Sequence, residues 1–430
     1  MSSFVPKLET QRNIYERNKN PLGTTTALGR AIVGSGLTSY LFSEQSKKFL
    51  LIALGILVLV GLGIWFYSFI KSYESFKNVN EAFENINDSE RVKNQKKSRS
   101  TYVKNIVNSV TVKKYDSFTE SSTKLGNIQF PTTKQGGFLG PYDKSTFDES
   151  ESVLNQLNMN IRTFFLQIDY ISTSILSKDK FPGKLNPSLF YTDKSGSLNS
   201  YNSSDISTLF SYIKEFAFND NINNKDDPVL ILLHFVNLPY TTSQIEKYTE
   251  YLGNVSEALS VLGNNMLSGG YYRSQKEADI FKTNFKEFNQ KVIVGTNIDT
   301  TIFTKSKLAN SSKDLDYKVH FHYYVKGDEK VDSTSKTTDM NKAAFIYNSS
   351  TLLNMDNVEK ENWKLENKGK FILVKTPIDR DVSISQINIL LNELGVNIIN
   401  YNYFNDVDSA TAVRKLYGTM KTKPIFLSVD

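Results

Sequence analysis

Met159–Ser172, MNIRTFFLQIDYIS, is a run of β-branched and aromatic residues that reads as a buried strand. The residues before it, FDESESVLNQLN, read as a helix over Ser152–Asn158, and those after it as turn, strand, helix and strand. Strands and helices alternating at this spacing imply a parallel sheet with crossover helices. Ser204–Phe218 opens on a capping Ser-Asp pair and lines up Ile206, Leu209, Phe210, Ile213 and Phe216 on one helical face. Asp227–Phe235, DPVLILLHF, is apolar along the length of a strand, as a parallel sheet buried on both faces requires. Ser243–Leu262 is an amphipathic helix. Further strands are expected at Pro187–Thr192, Lys291–Gly295, Tyr317–Val325, Lys370–Lys375, Val396–Tyr401 and Pro424–Val429, with helices at Ser383–Leu394 and Ser409–Tyr417. Thr101–Pro141 shows a β and loop pattern. About eight strands with intervening helices predict an α/β fold, a TIM (β/α)8-type barrel. The helical complement is thin between residues 296 and 370, so the barrel is expected to be degenerate there.

The N-terminal part has another character. Phe49–Ile70 is 22 residues without a charge, FLLIALGILVLVGLGIWFYSFI. As a helix it would measure about 33 Å, enough for a hydrocarbon core of about 30 Å. Lys47, Lys48 and Lys71 bracket it, and Trp65 and Tyr67 suit an interface. The run is too long and starts too late for a signal peptide. These features predict a single transmembrane helix preceding the barrel, so the chain is expected to be a single-pass membrane protein whose first partner is a lipid bilayer. The expected organisation is a polar tail (1–48), the transmembrane helix (49–70), a stalk and linker (71–114) and the barrel (115–430). Basic residues flank both ends of the apolar run, which leaves orientation open.

Charge follows the same division. Residues 1–48 hold 7 basic and 3 acidic side chains, and residues 71–114 hold 10 and 5. The remainder holds 34 and 37, so the barrel region is mildly acidic and no nucleic-acid partner is expected. Cysteine is absent, which excludes disulfides, thiolate metal sites and a cysteine nucleophile. No glycine motif of the P-loop type appears, and no cofactor is expected.

Four pieces of the barrel region resemble, in order, the X-type catalytic barrel of phosphatidylinositol-specific phospholipase C. NIRTFFLQID is similar to that family's Gly-x-Arg-x-x-Glu-x-Asp strand. PSLFYTDKSGSLNSYNSSDISTLFSYIKEFAF is similar to its Pro-Val-x-x-His-Gly-His strand, loop and helix. DPVLILLHF resembles its Pro-Val-Ile-Leu-x-Leu-Glu strand, and FNQKVIVG its Gly-Lys-Ile-Leu strand. The phospholipase-C-like barrel proteins encoded by large DNA viruses look closer still, because the C-terminal NYNYFNDVDSATAVRKLYGTMKTKPIFL also resembles theirs. The resemblance implies a pair of histidines for phosphodiester cleavage and carboxylates holding Ca²⁺. Such chemistry needs groups that titrate near neutrality and hard oxygen ligands. Arg162 matches the family arginine, but Phe165 stands at the Glu and Gln167 at the Asp. Tyr191 stands at the first histidine of His-Gly-His, Asp193 at the second, and His234 at the fourth-strand Glu. No histidine lies in Asp116–Lys124, where the other catalytic one belongs. The expectation is a barrel without catalysis.

Other candidates are weaker. His320 and His322 share one strand face and would chelate zinc or copper together with His234, or serve as ordinary strand histidines among tyrosines. Asp226–Asp227 and Asp379/Asp381 sit beside prolines at strand ends, where capping is the simpler role. Arg162 is either a phosphate contact or a structural arginine. Two functions remain. One is a membrane-anchored structural or interaction protein with virion or membrane partners, which the viral resemblance places in a virion inner membrane or a virus-modified host membrane. The other is a phosphoinositide-binding protein or phosphodiesterase with an altered site.

Overall fold

The computed structural model describes residues 61–62, 89–110, 122–140, 145–169, 187–189, 191, 200–236, 238–267, 277–326, 343–417, 421–424 and 428. The chain divides into two units, Met1–Ser75 and Phe76–Asp430. Of the first, only Gly61 and Leu62 are described, as helical and exposed, so the expected span Phe49–Ile70 lies outside the described residues apart from these two. Among the described residues no helix is long and apolar enough to cross a membrane.

The second unit is built on eight parallel strands: β1 (Ile128–Thr133), β2 (Thr163–Asp169), β3 (Val229–Phe235), β4 (Val292–Thr296), β5 (Phe321–Lys326), β6 (Ala344–Asn348), β7 (Phe371–Lys375) and β8 (Ile398–Tyr401). Each pairs with the next in parallel, and β8 pairs with β1, so the ring closes as a barrel. This is the expected α/β architecture. Two strands differ from expectation. β1 lies within the stretch read as a β and loop pattern, with no strand placed there, and β6 in a segment not read as a strand, whereas the described residues of PSLFYT contribute Ser188–Leu189, paired antiparallel to the end of β2 and to Ser204–Asp205. Lys421–Thr422 pairs antiparallel with β1, and most of Pro424–Val429 lies outside the described residues.

Alternation along the strands sorts side chains to two faces. Phe130, Phe165, Leu230, Leu232, Ile293, Phe321, Tyr323, Ile346, Phe371, Leu373 and Ile398 fill the interior. Phe164, Leu166, Ile168, Ile231, Leu233 and Val294 face outward to the helices on one side, and Ile372, Val374 and Ile399 on the other. The interior fill is unusually aromatic. Phe281 stacks on Phe371 at 4.6 Å and meets Phe321 edge-on at 5.1 Å. Gly295 makes room for this, since a Cβ there would come within 2.4 Å of the Phe321 ring.

The covering helices are α1 (Ser89–Ser109), α2 (Glu149–Asn158), α3 (Ile206–Ala217), α4 (Ile245–Leu259), α5 (Asn357–Asn367), α6 (Ile384–Asn388, continued by a π turn to Glu393) and α7 (Val407–Tyr417). Their starts follow capping chemistry. Asp148 accepts from Glu151 N–H, Asp205 from Ser207 N–H, and Asp356 and Ser383 each form a capping box.

The β reading of the stretch that begins at Thr101 is corrected by α1, a helix of 21 residues. Val103, Ile106, Val107 and Val110 fall at helical spacing, and their branched side chains mimic a strand in sequence. Val103 joins the core beneath α6 and α7, while Ile106 and Val110 pack on Ala410. The Arg99 guanidinium donates to Leu139 O at 2.8 Å and Phe404 O at 3.0 Å, tying together the loops after β1 and β8. Residues 89–109, assigned from sequence to a stalk and linker, therefore pack on the barrel.

The β1–β2 contact is the thin part of the ring, a single paired position, Thr132 with Thr163. Past it, Gly136 N–H donates to Phe165 O at 2.9 Å. The Gln135 side chain accepts from Gln167 N–H at 2.9 Å and donates to Gln167 O at 3.3 Å, replacing a missing ladder step.

Two outcomes are expected in urea unfolding. A chain that begins after Val110 loses three buried side chains worth about 1.5–3 kcal/mol each, so its stability falls by about 5 kcal/mol relative to one starting at Ser89. Gln135→Ala strands two buried backbone groups at about 1–3 kcal/mol each and lowers the midpoint without changing the slope.

Candidate functional site

Barrel sites form where the strands end, in the loops at their C-terminal edge. Inward alternation places Thr132, Gln167, His234, Tyr323, Lys375 and Asn400 near that edge. Gln167 and His234 are register partners on β2 and β3. The His234 ring lies 5.1 Å from Phe165 and stacks parallel to Tyr323 at 6.2 Å, 7° between planes. The Tyr323 hydroxyl is turned away, donating to Leu233 O at 2.9 Å.

His234 is 6% exposed and its Nδ1 has no hydrogen-bond partner. Burial, reinforced by the nearby Lys375 charge, pushes its imidazole well below the usual histidine range, so it is neutral at physiological pH. Acid–base cleavage requires a second titrating group in reach, and none of the neighbouring rings supplies one. Calcium requires several oxygen ligands. Here the two rings at 5.1 Å stand where the resemblance places carboxylates, and Gln167 offers a neutral amide. These residues do not fit the ion.

The metal trio is corrected by the barrel's geometry. Phe321 and Tyr323 point inward, so His320 and His322 face outward, on the opposite side of the sheet from His234. His320 Nδ1 accepts from Val294 N–H at 2.8 Å and its Nε2 lies 3.2 Å from Leu267 O. Burial lowers its pKa to about 4. His322 Nε2 is 2.9 Å from Thr300 Oγ1, which donates to Asp316. Among the described residues no group of three or more His, Asp or Glu is placed to hold a metal.

Tyr191, aligned with a catalytic histidine, is 5% exposed and stacks on Phe138 at 4.5 Å. Its hydroxyl donates to Ile378 O, pinning the segment after β2 to the loop after β7. Burial and the charges of Asp381 and Asp379 push that phenol far above its usual range. Beside it, Lys134 donates to Arg380 O at 2.7 Å and lies 3.6 Å from Asp381. Burial outweighs the carboxylates there and brings the amine down to about 8. The crevice between Lys134, Gln135, Tyr191 and Tyr401 has a volume of about 10 Å³, room for a single water. Asp193 lies outside the described residues.

Arg162 sits at the opposite, N-terminal end of β2. Its Nη1 donates to Ala217 O at 2.8 Å, its Nη2 to Asp227 O at 2.7 Å, and its Nε to Pro228 O at 3.3 Å. The guanidinium is spent on the loop that leads into β3, a placement that does not fit a phosphate contact at the strand ends. Asp226 accepts from Gln290 Nε2 at 2.7 Å, a contact to the turn just before β4. Sequence reading missed Lys375 and Gln135. The alternation Phe371, Leu373, Lys375 carries the signal for the first, and nothing in sequence marks the second.

No family model matches the sequence, and no curated protein matches it. Among solved structures, PLC21 of L. pealei aligns at 12% identity with a TM-score of 0.48, covering 72% of this chain and 38% of that one. A Ca²⁺-dependent phosphatidylinositol-specific phospholipase C from Streptomyces antibioticus aligns at 10% identity and TM-score 0.43, covering 70% and 99%. A calcium-dependent phosphoinositol-specific phospholipase C from Pseudomonas sp aligns at 12% identity and TM-score 0.38, covering 66% and 93%. The chain thus spans less than two thirds of the length of PLC21.

Asp227 supplies a pH-dependent outcome. Burial raises its carboxyl to about 6 despite the adjacent Arg162, whose N–H groups go to backbone carbonyls rather than to the carboxylate. A carboxyl whose folded pKa is raised stabilises the fold at low pH, and that contribution is lost as pH rises through about 6. Asp227→Asn should therefore flatten the dependence of the melting temperature on pH between 4 and 7, about 1–3 kcal/mol in all.

Proposed function

We propose that this chain is a membrane-anchored phospholipase-C-like barrel without catalytic activity, acting as a structural or interaction protein of a virion or a virus-modified membrane. One observation carries the loss of catalysis. At the barrel mouth, Phe165 and the neutral, buried His234 pack ring against ring where phosphodiester cleavage would need charged oxygen ligands and a titrating pair. The uncharged run Phe49–Ile70 supports the anchor. The viral setting rests on the likeness of the C-terminal NYNYFNDVDSATAVRKLYGTMKTKPIFL to viral barrel proteins, and its partners would be other proteins of that membrane.

A phosphoinositide-binding role is the second reading, favoured by Lys375, whose charge reaches the mouth beside His234. The two readings part in one experiment. The full chain in detergent is titrated with Ca²⁺ and, separately, with inositol phosphates while its melting temperature is followed, and phosphatidylinositol turnover is measured. A ligand at 100 times its dissociation constant stabilises by about 2.7 kcal/mol, a shift of a few degrees in a domain of this size. No shift with either ligand and no turnover are expected. A calcium-dependent shift or turnover overturns the inactive reading, and a shift with inositol phosphates that Lys375→Gln abolishes selects the second one.

A further inference from the structure

Helix α1 holds six basic side chains, Arg91, Lys93, Lys96, Lys97, Arg99 and Lys104, against one acidic, Glu90. Two of them have work on the barrel: Arg99 binds the Leu139 and Phe404 carbonyls, and Lys104 pairs with Glu151 at 2.9 Å. Arg91 stacks over the Tyr201 ring at 4.8 Å. Val103, Ile106 and Val110 define the buried side, and half-buried Lys96 lies in line with them. Lys93 and Lys97, one turn apart, stand exposed on the other side. A helix bonded to a rigid barrel thus presents two fixed cations outward, Lys93 and Lys97, although the barrel region itself is net acidic.

We propose that Lys93 and Lys97 dock α1 on an anionic lipid surface. Charge complementarity is the first argument, since clustered lysines next to a membrane segment each contribute to binding anionic headgroups within a Debye length of about 8–10 Å. Position is the second. Only 18 residues separate Ile70 from Ser89, so the helix starts no farther than about 65 Å from the end of the apolar run. Such a tether makes docking effectively intramolecular. The inference rests on the anchor reading and adds an orientation: the end of the barrel that carries the loops after β1 and β8, to which α1 is bonded, is held close to the bilayer.

The chain has no cysteine, so Ser98→Cys, on the exposed side of α1, gives a single site for a fluorophore. The full chain is reconstituted into phosphatidylcholine vesicles with and without phosphatidylserine, each containing a headgroup-linked quencher. Quenching should rise with phosphatidylserine, fall at high salt, and lose its phosphatidylserine dependence in the Lys93→Gln, Lys97→Gln variant. A chain that stays embedded after a high-pH wash but is quenched equally in both lipid mixtures overturns the docking. A label that responds to added duplex DNA instead of phosphatidylserine also overturns it, assigning the two lysines to nucleic acid. A chain that washes out, yet shows phosphatidylserine-dependent quenching when added from outside, overturns the anchor and supports the docking.

Discussion

Pro131 sets the constraint around which this barrel is arranged. Phe130 on β1 and Lys134 just after it donate their N–H groups to Asn397, just before β8, and to Tyr401 at its end, so the intervening odd positions face β2. Proline has no N–H to give, and the β1–β2 seam is left with one paired position. A parallel barrel has no edge strand to spare, so an open seam would expose two rows of unpaired backbone groups. The closing elements follow from this need. Gln135 supplies an amide in place of a backbone ladder step and Gly136 adds an N–H across the seam, while Arg99 of α1 ties the loop after β1 to the loop after β8 on its other side. A helix that sequence places in a stalk is thus bonded to the barrel's loops.

The interior is the second consequence. Eight strands enclose a space that side chains must fill in layers. Here Phe130, Phe165, Phe281, Phe321, Tyr323 and Phe371 do so, and the filling continues toward the C-terminal edge because Phe165 and His234 occupy the positions that the resemblance assigns to carboxylates. The two rings pack at 5.1 Å, so the mouth there is held closed by area burial. A lone imidazole between Phe165 and Tyr323 is pushed toward its neutral form by that same burial.

How much of this was legible in sequence varies with the physical signal. Strands buried on both faces, such as β3, announce themselves as apolar runs. β1 did not, because IQFPTT mixes a proline and three polar residues whose partners are set by tertiary contacts: Gln129 donates to Leu391 O and Val396 O, more than 260 positions away. β6 escaped as five residues, AFIYN, without an apolar stretch long enough to stand out. The histidines show the opposite limit. That His320 and His322 share a face was readable from their spacing; that His234 lies on the other face needed the inward register of Phe321 and Tyr323.

Arg162 shows why a matching residue and a matching function must be argued separately. It agrees with the family motif while the carboxylate positions three and five residues later do not. Place in the barrel accounts for the difference. Burying a guanidinium costs several kcal/mol unless its donors are satisfied. Arg162 meets that cost with carbonyls of Ala217, Asp227 and Pro228, and although burial lowers its pKa to about 10 it stays charged at neutral pH. Removing it would leave those carbonyls without their donor at the N-terminal end, where residues of a barrel serve stability. Phe165 and Gln167 lie further along the same strand, toward the end where residues serve chemistry. There Phe165 adds apolar area to the core at a position where the resemblance places a carboxylate. One strand can therefore agree with a motif at its start, where buried backbone bonds set the choice, and depart from it further along.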